Sequence, residues 1–163
     1  MFNSMYNKRT VVFQEGFMNT QALQHLKTYF GYDTFRPGQT QIIDSVLDNK
    51  DTLVIMPTGG GKSLCYQITA LCLEGTTLVI SPLISLMKDQ VDMLTSSGIP
   101  AAFINSSLSF DEVQDVMYAV RSGKIKLLYI APERLENERF CMELAQIKVP
   151  LLAIDEAHCI SQW

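Results

Sequence analysis

The chain has 163 residues, 47% of them hydrophobic, which is enough for one globular domain with a substantial core and short for two. No apolar run reaches the roughly 18 residues of a membrane-spanning helix and no secretory signal opens the chain, so the sequence predicts a soluble, cytoplasmic protein. The formal net charge of -4 excludes a surface that is basic throughout, so any contact with a polyanion is expected to be local.

The four cysteines show no motif of metal binding or redox chemistry. They are Cys65, Cys72, Cys141 and Cys159, and neither a Cys-x-x-Cys pair nor a His-x-x-x-His cluster accompanies them. We therefore expect reduced thiols in a reducing cytoplasm.

The N-terminal stretch 1–17 has no clear periodicity. It is expected to be either a disordered tail or an extension from an early start codon, with the ordered domain covering 18–163. Helical spacing of Leu23, Leu26 and Phe30 then predicts a first helix over residues 20–30.

Short apolar runs rich in β-branched residues then alternate with longer helical segments. The runs are Thr52 to Met56, Thr77 to Ile80, Ala101 to Ile104, Lys126 to Ile130 and Pro150 to Ile154. Runs 78–80 and 151–154 are apolar at consecutive positions, as strands buried on both faces of a parallel sheet are. The pattern predicts a doubly wound α/β fold with helices on both faces of a parallel sheet, and no second domain.

The segment MPTGGGKS at 56–63 predicts a phosphate-binding loop, because it lies between a predicted strand and a predicted helix that begins near Lys62. Backbone N–H groups of Thr58 and of Gly59, Gly60 and Gly61 would surround the phosphates. Lys62 would reach the β and γ phosphates, and the Ser63 hydroxyl would bind Mg²⁺. Met56 stands where the usual pattern has its first glycine. The alternative is a glycine-rich turn that merely precedes Lys-Ser.

The second chemical signal is Asp155-Glu156-Ala157-His158, directly after the apolar run 151–154. With a phosphate loop upstream, Asp155 is expected to hold Mg²⁺, and Glu156 to orient and deprotonate the attacking water. His158 would sense the nucleotide. An acidic pair after a strand is otherwise more often a helix cap, so this assignment depends on Lys62.

Five motifs in order resemble those of RecQ-family DNA helicases of superfamily 2, over residues 20–163. They are YDTFRPGQ at 32–39, KSLCYQ at 62–67, SPLISLMKDQ at 81–90, YIAPERL at 129–135 and DEAHCISQW at 155–163. The resemblance implies a RecA-like domain, and superfamily 2 loops commonly lack the first glycine.

The resemblance implies three nucleotide contacts, two of them to adenine. Tyr32 would stack on the base, Arg36 would support the nucleotide, and Gln39 would make paired hydrogen bonds to the adenine edge. An amide offers one donor and one acceptor face, which matches adenine and mismatches guanine, so ATP is expected over GTP. Phe35 is expected to pack in the core.

The resemblance also implies DNA contacts, through Ser81, Ser85 and Lys88 in the motif at 81–90, through Asn105 in a strand-end loop, and through Trp163 in an aromatic loop. Ligands of parallel α/β sheets gather at the carboxyl ends of strands, which agrees with this placement. For Ser85 and Lys88 the alternative is the solvated face of an ordinary amphipathic helix.

The activity implied is that of an ATP- and Mg²⁺-dependent 3'-5' DNA helicase of recombination and repair. Its substrate would be single-stranded or partly duplex DNA, and its site would be nucleoid-associated; protein partners such as a single-strand-binding protein stay undefined. The family's second lobe, with its phosphoryl-stabilising arginine, its Zn²⁺ subdomain and its winged helix, has no counterpart in these residues.

The absent third-motif strand would lie between the strands before the two phosphate motifs, so exposed edges and aggregation are expected. These residues alone should bind nucleotide weakly, hydrolyse ATP very slowly and unwind nothing. Two alternatives stay open. One is an inactive nucleotide-binding remnant. The other is a DEAD- or DEAH-type RNA helicase, which would not predict FRPGQ at 35–39 or CISQW at 159–163.

Overall fold

The computed structural model describes residues 20–57 and 59–157. Its helices are α1 (Thr20–His25), α2 (Gln39–Leu47), α3 (Lys62–Cys72), α4 (Ile84–Ser96), α5 (Phe110–Arg121) and α6 (Glu138–Leu144). Its strands are β1 (Thr77–Ile80), β2 (Ala101–Ile104), β3 (Leu127–Ile130) and β4 (Leu152–Ile154). A π-helical turn (Leu26–Phe30) continues α1, so the predicted first helix is confirmed in position, and a 3-10 helix (Pro132–Glu136) precedes α6.

The strands form one parallel sheet in the order β2-β3-β1-β4. In its register, Ile80 of β1 stands between Ile130 of β3 and Ile154 of β4. The carboxyl ends of all four strands therefore lie at one edge of the sheet, where the predicted α/β fold places its ligand site.

Helices cover both faces of the three strands β2, β3 and β1. Alternate strand residues such as Val79 and Tyr129 pack on one face against α3 and α4, while Leu78 and Leu128 pack on the other face against α5 and α6. A third cluster joins α1 and α2 to α3. The predicted doubly wound arrangement is confirmed.

Two strand predictions are wrong in detail. Residues 52–56 form no strand, and Leu53 and Ile55 are 82% and 89% exposed. Strand β4 forms, yet Leu152 and Ile154 are 55% and 45% exposed, so this run is not buried on both faces as predicted. The physical reason is shared: no described strand pairs with 52–56 or with the outer side of β4, so neither segment is covered.

Residues 1–17, with the predicted N-terminal extension, lie outside the described part of the chain. None of the helices in residues 20–57 and 59–157 combines the length and the apolar composition needed to cross a lipid bilayer.

Candidate nucleotide-binding site

A cavity of about 460 Å³ opens at the carboxyl edge of the sheet. Its wall brings together the segment after the π-helical turn, the phosphate loop, the start of α3, one side of α4 and the residues after β4. The two predicted phosphate motifs and the predicted adenine motif therefore meet in one place, although more than 100 residues separate Arg36 from Asp155.

The phosphate loop owes its shape to glycine. Gly59 and Gly61 have φ angles of 76° and 83°, in the left-handed region that side chains disfavour. The Gly60 N–H donates to the Pro57 carbonyl at 3.0 Å, and α3 begins at the next residue but one, Lys62. The N–H groups in the first turn of α3 have no partner within the helix and point toward its N-terminus. They therefore face the loop, where they favour an anion. Thr58 lies outside the described residues.

The predicted adenine-reading residues also support the phosphate loop. Gln39 is 1% exposed, accepts a hydrogen bond from the Arg36 backbone N–H at 2.8 Å and donates to the Gly61 carbonyl at 3.1 Å. The Arg36 guanidinium donates to the Gly59 carbonyl at 2.7 Å. Tyr32, which is 53% exposed, lines the same cavity. Sequence reasoning missed this bracing role, for which the motif contains no local signal.

Lys62 reaches back over the loop, where its ammonium group donates to the Met56 carbonyl at 3.3 Å. Its positive charge also lowers the pKa of Asp155, which shows that the two motifs are close enough to interact. Lys62 is partly buried and lines the cavity beside Ser63. The lysine therefore stands where phosphate oxygens would enter.

Asp155 directly follows β4 and is 9% exposed. Burial is the largest influence on its pKa and raises it; the Glu156 charge raises it too, whereas the Glu156 N–H, which donates to Asp155 Oδ1 at 3.0 Å, lowers it. Glu156 has a φ of 51°, which is unusual for a residue with a side chain. A buried carboxylate facing a lysine is a suitable partner for a cation. His158 lies outside the described residues.

Tyr66 lies near the two proposed magnesium-binding side chains, Ser63 and Asp155. Burial raises the pKa of Tyr66 well above the ordinary tyrosine value, the Asp155 charge raises it further, and the Ser63 side chain lowers it. Tyr66 therefore lies close enough to Ser63 and Asp155 to interact electrostatically with both. Tyr66 follows Ser63 by three positions on α3, a spacing that places both on one helix face and could have identified Tyr66 from sequence.

This donor set fits magnesium. Mg²⁺ keeps several waters and commonly takes one or two protein oxygens together with substrate phosphates. The described residues contain no group of three or more His, Cys, Asp or Glu side chains that could hold a metal. A hydroxyl from Ser63 and a carboxylate from Asp155 are what a nucleotide-bound magnesium needs.

The predicted DNA-binding residues divide into two groups. Ser81 and Asn105 are each 1% exposed: the Ser81 hydroxyl has no hydrogen-bond partner, and Asn105 accepts from the Ser107 backbone at 2.9 Å. As placed, neither side chain reaches a surface ligand, because each is enclosed where its strand ends. Ser85 and Lys88 are exposed on α4. Trp163 lies outside the described residues.

Comparison with known proteins identifies the family. The model of the DEAD/DEAH box helicase family matches residues 36–163. The chain belongs to this family. It is 56% identical over 157 residues to the ATP-dependent DNA helicase RecQ of Pasteurella multocida, covering 96% of this chain and 25% of that protein.

Two further relatives extend the same pattern. The ATP-dependent DNA helicase RecQ of Bacillus subtilis is 58% identical over 144 residues, which are 88% of this chain and 24% of that protein. The ATP-dependent DNA helicase Q-like 5 of Arabidopsis thaliana is 45% identical over 139 residues, which are 85% of this chain and 15% of that protein. The resemblance to RecQ helicases is confirmed, and the chain spans about a quarter of the length of its RecQ relatives.

Proposed function

We propose that this DEAD/DEAH box chain is the ATP-binding part of an ATP-dependent 3'-5' DNA helicase of the RecQ type, acting in recombination and repair. The observation that carries the proposal is the meeting of Lys62, Ser63 and Asp155 at one cavity beside a glycine-rich loop. The names of the relatives support a DNA helicase. In this proposal residues 18–163 are the N-terminal part of the first motor lobe, and any Zn²⁺ site belongs to other residues of the protein.

The proposed chemistry assigns a task to each group. Backbone N–H groups of residues 58–61 hold the phosphates and Lys62 offsets their charge. Magnesium, when held by Ser63 and Asp155, supplies charge neutralisation between the phosphates. Glu156 orients the attacking water and accepts its proton, and His158 senses the nucleotide.

Base recognition falls to Tyr32, which stacks on adenine, and to Gln39, which pairs with the adenine edge, with Arg36 in support. Because Gln39 and Arg36 also hydrogen-bond to the carbonyls of Gly61 and Gly59, base recognition and loop shape would be linked. ATP would then differ from GTP in two respects. It would bind more tightly, and it would produce a different conformation of the phosphate loop.

DNA is proposed to cross the carboxyl edge of the sheet, meeting exposed Ser85 and Lys88 on α4 and the aromatic loop at Trp163. The buried side chains of Ser81 and Asn105 would stabilise the loops that follow their strands. The protein would then work in the cytoplasm, at the nucleoid.

The test uses the full-length protein and measures steady-state ATP hydrolysis with and without single-stranded DNA. Lys62→Ala should lower DNA-stimulated turnover about a hundredfold or more, and Glu156→Gln about 10² to 10⁴-fold while still binding ATP. Lys124→Ala, at an exposed lysine away from the cavity, is the control and should leave turnover unchanged. Stimulation by RNA and not by DNA would replace the proposal with an RNA helicase, and turnover unaffected by Lys62→Ala would refute it.

A further inference from the structure

Gln67 occupies a buried position between two elements that the proposed chemistry does not connect. It is 1% exposed on α3, and its side-chain N–H groups donate to Gln90 Oε1 on α4 at 2.8 Å and to the Tyr129 hydroxyl on β3 at 3.3 Å. Tyr129 is itself 1% exposed. A buried amide with both donors committed fixes the relative position of the groups it joins.

The same network continues to the magnesium end of the site. The rings of Tyr66 and Tyr129 pack edge to face with centroids 6.5 Å apart, and their hydroxyl oxygens are 3.5 Å apart. Tyr66 and Gln67 lie on α3, whose first residues Lys62 and Ser63 line the cavity together with Gln67 and Asp155. Hydrogen-bonded side chains therefore connect Tyr66 and Gln67 on α3, through Tyr129 and Gln90, to β3 and α4.

Helix α4 also forms part of the cavity wall. Leu86, Gln90 and Met93 line the cavity, at positions three or four apart and thus on one face of the helix. Ser85 and Lys88, the exposed candidates for DNA contact, lie on the same helix. One helix thus faces the nucleotide cavity on one side and solvent on another.

We propose that Gln67 is a positioning residue that couples nucleotide binding to α4 through Gln90, and that α4 reports occupancy of the cavity to the surface where DNA is proposed to bind. The inference rests on the proposed function, and it assigns to these residues a task outside the chemistry at the phosphates. Displacing α4 would leave the buried Gln67 N–H without an acceptor, so α4 and the nucleotide end of α3 prefer to move together.

The experiment follows amide hydrogen exchange in the full-length protein, with and without Mg²⁺ and a non-hydrolysable ATP analogue. In the wild type, the analogue should slow exchange within Ile84–Ser96 of α4. Gln90→Met removes the acceptor at similar volume, and should reduce that slowing about two- to tenfold, the worth of one buried hydrogen bond. Gln114→Met, on α5 at the opposite face of the sheet, is the matched control and should leave the slowing intact.

A double-mutant cycle completes the test. If the Gln67–Gln90 bond carries the coupling, Gln67→Met should reduce the slowing as Gln90→Met does, and combining them should add little further loss. Slowing that is unchanged by Gln90→Met, or losses that simply add, would overturn the inference while leaving the proposed function intact. A wild type that binds the analogue and shows no DNA-stimulated hydrolysis would instead refute the proposed function.

Discussion

Two isoleucines flank Ile80 in the sheet and have opposite environments. Ile130 on β3 is fully buried, whereas Ile154 on β4 is 45% exposed, although both pair with the same residue in the same register. Their difference comes from what lies beyond each strand: β3 is followed by β2, and β4 by no described strand. Apolar character alone therefore does not determine burial, because a strand becomes internal only when its neighbours are present.

The largest expected effect tests this contrast directly. Ile130→Ala should lower the free energy of unfolding by about 2 to 5 kcal/mol, because it leaves a cavity in a closed part of the core. Ile154→Ala should lower it by about 1 kcal/mol or less, because solvent already reaches that side chain. Urea titrations of both variants check the difference, and equal losses would show that the β4 edge is covered in solution.

The phosphate loop offers a second, smaller contrast. A methyl group at Gly61 would lie 2.5 Å from Gln39 Nε2, at a φ of 83°, whereas one at Gly123, φ 71°, would meet nothing within 4 Å. Gly123→Ala should cost about 1 kcal/mol of backbone strain, and Gly61→Ala about 2 kcal/mol plus a loss of ATP affinity. Thermal unfolding and ATP titration separate the two costs; similar values for both variants would mean that Gln39 does not brace the loop.

A third prediction concerns charge at the end of β4. Because burial raises the pKa of Asp155 above 3.8, the folded state binds its proton more tightly than the unfolded state. The free energy of unfolding of the wild type should therefore fall as the pH rises from about 3.8 through the folded-state pKa of Asp155. Asp155→Asn should stabilise the metal-free protein on the order of 1 kcal/mol at neutral pH and less in acid. Melting curves from acid to neutral pH check this.

Adding Mg²⁺ and ATP provides the control for Asp155→Asn, because a ligand that needs the carboxylate stabilises only the wild type. The order of the two melting temperatures should then reverse at neutral pH. An Asn variant that is less stable at every pH would contradict the assigned burial of the charge.

The smallest effect on stability is expected at the segment 52–56. Leu53→Lys and Ile55→Lys should change the free energy of unfolding by about 0.5 kcal/mol or less, because both side chains are more than four-fifths exposed. The same changes should reduce aggregation of this chain, since charge discourages association of exposed strand-like segments. Light scattering at increasing concentration measures this, and Thr52→Lys is the control for added charge at an exposed polar site.

Sequence predicted the packed region well because its signals are local. Runs such as 77–80 and 101–104 carry their own apolar pattern, and their helices supply matching faces. The segment 52–56 has the same pattern but pairs with no strand among the described residues, so the prediction failed where pairing, not propensity, decides. Exposure of β4 follows for the same reason.

Within the candidate site, sequence identified Lys62, Ser63 and Asp155, because the spacing of those residues is itself the signal. It did not find the contacts that Tyr66 and Gln67 make with Tyr129, because these contacts join α3 to a strand more than 60 residues away. Burial of Ser81 and Asn105 was equally unpredictable, since polar residues at strand ends are enclosed or open according to the loops that follow.

The strand order has a consequence for how the chain acquires its structure. Every pair in the described sheet includes β3 or β4, and β1 and β2 never touch each other through backbone hydrogen bonds. During synthesis, β1 and β2 must therefore wait, unpaired, until the ribosome has delivered Leu127–Ile130. Paired residues of β2 and β3 are 26 positions apart and those of β1 and β3 are 50 apart, so both pairings of β3 are long-range events of the kind that slows folding.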